Sequence, residues 1–127
     1  MKLIHNMVCH TIFLSTCEGA RMAEAAGIKV ADMIRVFNNS NARSYASEVR
    51  FPKHILSEKW DARSRVYNLR KDLTMAVATA GALNKQVPLG TVTRDLLNVA
   101  MDQGMENTDF AHLYPRFDDI VADLGKK

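Results

Sequence analysis

The chain has 127 residues, enough for one domain and too few for two ordinary ones. Hydrophobic residues make up 47% and charged residues 24%, a globular balance that excludes bulk disorder. Net charge is +3, from 17 Lys and Arg against 14 Asp and Glu, and does not by itself indicate nucleic acid.

Residues 2–26 predict one long helix. Leu3, Met7, His10, Leu14 and Cys17 trace one apolar stripe, and Ile4, Val8 and Ile12 widen it. Such a helix is expected to lie centrally and be buried. Gly27 is its natural stop, while nothing precedes Lys2 to cap its start. Cys9 and Cys17, on one helix, would stand about 12 Å apart. A disulfide needs roughly 4.4–6.8 Å between Cα atoms, so both are expected to be reduced, as suits a cytoplasmic protein. No run of 18 apolar residues suggests a membrane span.

A second helix is predicted over 30–38, with Val30, Met33, Ile34 and Phe37 on one side, followed by the turn-forming Asn38-Asn39-Ser40-Asn41. Residues 42–62 predict short helical pieces around Pro52. A second long helix follows over 63–83, with Asp61 as its candidate cap and Asn84 as a left-handed stop. Pro88 opens a helix to about 103, closed by Gly104. Thr108-Asp109 starts a short helix through Leu113, and Phe117, Ile120, Val121 and Leu124 pattern the last. No strand pattern is found, so the expected fold is all-α.

Two groups of polar residues lie on these helices. Lys2, His5, Asn6, Cys9 and His10 crowd the first turns of a helix that otherwise wants burial, and Lys2 and Asn6, four apart, share a face. A Lys there either reaches out to solvent or sits in a cleft, where it can move a proton beside an Asn that orients a ligand. Asn68, Lys71 and Asp72 form the second group, either a solvated strip or part of a site. Lys71 and Asp72 point about 100° apart and cannot face one site equally. Nothing specific surrounds His54 or His112. There is no metal-ligand spacing and no glycine-rich phosphate loop. Residues 43–71 carry eight basic side chains against three acidic ones, which reads as a solvated face or an anion site.

Lys2-Leu3-Ile4-His5-Asn6 resembles the K-x-x-x-N signature that opens the helical C-terminal domain of the β-hydroxyacid dehydrogenase family, the group of 3-hydroxyisobutyrate and 6-phosphogluconate dehydrogenases. Lys71-Asp72-Leu73 resembles the family's K-D-L signature on the next long helix, and Glu18, Gly27 and Pro88 fall in its E…G…P pattern. The sequence departs from the pattern at His5, where an Asn is common, at Lys29 in place of an acid, and at Asn84 in place of a Gly. The resemblance implies a multi-helical bundle around two long helices, like the 6-phosphogluconate dehydrogenase C-terminal domain, over residues 1–127. It implies an NAD(P)-dependent oxidoreductase acting on a short hydroxyacid. Lys2 would be the catalytic proton carrier, Asn6 a substrate-binding residue, Lys71 a cofactor-binding residue and Asp72 a supporting one. NAD or NADP would be bound mainly by an N-terminal Rossmann-type domain that this chain lacks. The helical domain would bind substrate and form a homodimer or tetramer, and alone it would be inactive. The competing expectation is a stand-alone helical dimerisation module, in which Lys2 only reaches solvent. A nucleic-acid binder using residues 43–71 ranks last, because no binding motif appears.

Overall fold

A computed structural model describes residues 1–126, and all its elements are helical. Five α-helices span Lys2–Ala25 (α1), Val30–Asn38 (α2), Val66–Ala82 (α3), Pro88–Asp102 (α4) and Phe117–Leu124 (α5). A wide helix with π-type turns covers Ala46–Leu56, and one 3-10 turn covers Phe110–Leu113.

The predicted stops close three helices in the same way. Gly27, Asn84 and Gly104 have φ of 81°, 58° and 84°. Past each, the next amide donates back five residues: Ile28 to Ala23, Lys85 to Ala80 and Met105 to Ala100. The left-handed residue turns the chain so that this bond satisfies a carbonyl the helix leaves open. Pro88 sits in the first turn of α4, where a missing N–H is harmless.

Around Pro52 the sequence predicts only short pieces, yet the wide helix runs through it unbroken for 11 residues. A proline removes one N–H and crowds the preceding turn of an α-helix, and wider turns relieve that crowding. Ser44 and Ser47 start the element by bonding reciprocally, each hydroxyl accepting from the other's amide at 3.2 and 2.9 Å.

The start of α3 differs from expectation. The helix begins at Val66 rather than 63, and Asp61 does not cap it. Arg65 is instead extended, in a segment pinned by Val66 N–H donating to Thr108 and Phe110 N–H to Ser64. Asp61 accepts from His54 Nδ1 at 2.9 Å. His112, expected to be isolated, stacks on Trp60 with ring centroids 5.0 Å apart.

The core draws on every element. Leu14 and Cys17 of α1, Leu69 and Leu73 of α3, Leu97 of α4 and Ile120 of α5 are buried together. Phe13 meets Phe110 edge-on at 5.1 Å and Phe51 at 6.0 Å, tying α1 to the 3-10 turn and the wide helix. The burial of α1 is uneven, however. Its fully buried residues begin at Phe13, while Ile4, Val8 and Ile12 are 59%, 47% and 40% exposed. Among the described residues nothing buries that face of its first three turns, so the expectation of a buried first helix holds only for its second half.

Candidate functional site

The first turns of α1 lie beside the middle of α3, and there the two polar groups meet. Asn6 Nδ2 donates to Asp72 Oδ2 at 3.3 Å, across 66 residues of sequence. His10 Nε2 donates to the same oxygen at 3.1 Å. His5 Nδ1 lies 3.1 Å from Asn6 Oδ1. Asn6 and His10, four apart on α1, share a face and so both reach one carboxylate on the facing helix.

The donor assignments follow from chemistry. An ionised carboxylate only accepts, so the Asn6 atom facing it must be the amide nitrogen and His10 must carry its proton on Nε2. Asn6 Oδ1 only accepts, so His5 must carry its proton on Nδ1. The side chains of His10 and Asp72 are 16% and 22% exposed. Burial pulls the His10 imidazole below its ordinary range, outweighing the opposing pull of the hydrogen bond and charge of Asp72. Near neutral pH the pair is therefore a hydrogen bond from a neutral ring.

Lys2 is exposed on the first turn of α1, and Lys71 is exposed on α3 while Asp72 turns inward. This is the divergence expected of helix neighbours. Asn68, grouped by spacing with Lys71 and Asp72, instead donates to Ser64 Oγ at 3.1 Å.

Asp72 and His10 also border a cavity of about 510 Å³ between α1, the wide helix and α3. Its walls are mostly apolar, with Val8, Phe13, Leu69 and Phe110 among them, and Arg50 is its one cationic Arg or Lys side chain. The Arg50 guanidinium lies over the rings of Tyr45 and Phe110 at 5.0 and 5.2 Å. Sequence patterning did not single out Arg50. It grouped His10 with the polar residues of the first turns but did not pair it with Asp72, 62 residues away.

Cys17 is fully buried, which pushes its thiol well up and leaves it unreactive. Both cysteines are free. Among the described residues no three His, Cys, Asp or Glu side chains group to hold a metal. No helix among them is long and apolar enough to cross a membrane.

This helical fold, with paired polar groups on its two long helices, is that of the helical domain of hydroxyacid dehydrogenases. The structure of 3-hydroxyisobutyrate dehydrogenase from Salmonella typhimurium superposes with a TM-score of 0.82 at 25% identity, covering 90% of this chain and 40% of that one. The Mycobacterium tuberculosis 3-hydroxyisobutyrate dehydrogenase, solved with L-serine, shares the fold with a TM-score of 0.81 at 19% identity, over 91% of this chain and 42% of that one. Residues 1–117 match the family described as NAD-binding of NADP-dependent 3-hydroxyisobutyrate dehydrogenase, and the chain belongs to that family. It is 25% identical to a probable mitochondrial 3-hydroxyisobutyrate dehydrogenase of Arabidopsis thaliana, over 91% of this chain and 35% of the relative. It is 26% identical to an L-threonate dehydrogenase of Escherichia coli, over 99% of this chain and 41% of the relative. The chain thus spans 35% and 41% of the length of these two relatives.

Proposed function

We propose that the chain is the helical, substrate-binding and dimerising portion of an NAD(P)-dependent dehydrogenase that oxidises a short 3-hydroxyacid. The observation that supports this most is the union of the two signature helices at one point, where Asn6 of α1 bonds Asp72 of α3.

Each residue has a role in this reading. Lys2 Nζ takes the proton from the substrate hydroxyl during oxidation and returns it during reduction. Asn6, one turn further along α1, holds the substrate. Lys71 reaches toward the cofactor and Asp72 supports Asn6. The dinucleotide supplies hydride acceptance and donation when bound. The residues present fit only the edge of such a group. Exposed Lys71 offers a cation, but the described residues form no strand and hence no strand–turn–helix phosphate cradle. The reading therefore assigns most of the cofactor contacts to a Rossmann-type domain of the same protein. It also carries a homodimer or tetramer, a cytoplasmic location, and an inactive helical portion when alone.

The test is made in a protein joining this chain to such a domain. Lys2→Ala should lower kcat for NAD(P)-dependent oxidation of short hydroxyacids by about 10²–10⁴-fold, the usual worth of a positioned proton carrier. Full activity in that variant would remove Lys2 from the chemistry. Activity of the 127-residue chain alone would refute the division of labour.

A further inference from the structure

We propose that His10 is a positioning residue that, through Asp72, fixes which edge of the Asn6 amide meets the ligand, and so selects a ligand group that accepts hydrogen bonds, such as a carboxylate. The inference rests on the reading that Asn6 contacts substrate.

His10 and Asn6 converge on a single oxygen, Asp72 Oδ2, at 3.1 and 3.3 Å. Shared in this way, the oxygen is held in place by two donors from α1. It draws one Nδ2 proton of Asn6 toward α3. On the other side, His5 Nδ1–H engages Asn6 Oδ1 at 3.1 Å. A flipped amide would set its oxygen against a carboxylate and its NH₂ against a donor, losing both bonds. The remaining group of Asn6 with no partner in this network is its second Nδ2 proton, a donor suited to a carboxylate oxygen.

The arrangement depends on the protonation of His10. The groups that act on its ring are Asp72 of α3, Arg50 of the wide helix and His5 of α1. When the ring is neutral, its single Nε2 proton is committed to Asp72. When it charges, it draws the carboxylate more strongly and competes with Asn6 for the shared oxygen. The Asn6 amide should therefore report the titration of His10, although the two side chains belong to different turns.

The 127-residue chain suffices for the test. Nitrogen-15 NMR follows the Asn6 side-chain NH₂ signals and the His10 ring from about pH 8 to pH 5, across the ordinary histidine range. In the wild type both should titrate with one midpoint. In His10→Leu the Asn6 signals should move and cease to titrate with that midpoint, and His10→Gln, whose amide can still donate, should restore their position. Asp72→Ala, which removes the shared acceptor, provides a second break in the chain of bonds should His10→Leu fail to fold. Asn6 signals unchanged in every folded variant would overturn the proposal. In the protein joined to a cofactor domain, His10→Leu should raise KM for 3-hydroxyisobutyrate about tenfold, with kcat within about threefold. A fall in kcat at constant KM would overturn the orienting role. A wild type inactive on every hydroxyacid would refute the proposed function instead, while the NMR result still decides whether His10 orients Asn6.

Discussion

At the residue scale the decisive group is Asp72, a carboxylate with two donors on one oxygen. Asp72→Ala leaves the partly buried His10 N–H and Asn6 amide unpaired, and unpaired buried donors cost about 1–3 kcal/mol. Asp72→Asn should cost less, because its side-chain oxygen can still accept from both donors. Urea unfolding of the two variants should show this order, and equal losses would mean that the pairing contributes little. His10 also gives stability a pH dependence with a definite sign. Its imidazole lies below the ordinary range when folded, so the unfolded chain binds the proton first as pH falls. Stability is therefore retained above about pH 6.5, the ordinary histidine value, and declines below it. The urea midpoint should drop between about pH 6.5 and pH 5, and His10→Gln should flatten part of that drop. A wild-type profile identical to that of the variant would show that His10 does not contribute.

At the element scale, Asp109 joins two segments that would otherwise separate. Its carboxylate accepts from Ala62 and Arg63 at 3.2 and 2.8 Å, and from Ala111 at 2.9 Å. It thereby caps the 3-10 turn and holds the connection that leads into α3. That connection contains Glu58, Trp60 and Arg63, all with positive φ, a conformation that side chains usually avoid. External bonds must hold it. Asp109→Ala should cost about 2 kcal/mol, the upper range for losing a cap, and should speed amide exchange at Ala62 and Arg63 first. Unchanged exchange there would place the restraint elsewhere. The element boundaries also show what local patterning can resolve. The stops at Gly27, Asn84 and Gly104 were legible because left-handed backbone favours Gly and Asn. The start of α3 was not, because residues 64–66 are pinned by partners at 108–110, which no local window contains. Nor was the continuity of the wide helix through Pro52, since a proline usually signals a break.

At the scale of the whole molecule, the uncovered face of α1 is the main unfinished surface. Ile4, Val8 and Ile12 recur every four residues and form one exposed apolar stripe. In the proposed dimeric enzyme, a second copy covers such a stripe. Sedimentation of the chain at micromolar concentration should show a dimer, and Val8→Glu should shift it to monomer. A wild-type monomer would remove dimerisation through this face.

The sequence by itself determined the all-helical class, most helix stops and the two signature helices. Those features rest on interactions within a few residues, which periodicity and capping chemistry record directly. It also identified Lys2, Asn6, Lys71 and Asp72 as candidates, through local motifs. Only the tertiary structure decided which of them meet. Asn6 and His10 lie 66 and 62 residues from Asp72, and their convergence depends on how α1 packs across α3. The same packing turned Asp72 inward and left Lys71 outside, paired Asn68 with Ser64, and uncovered half of a helix whose composition suggested burial. A one-dimensional pattern specifies which face of a helix is apolar, but the neighbour that covers that face is set by the whole core.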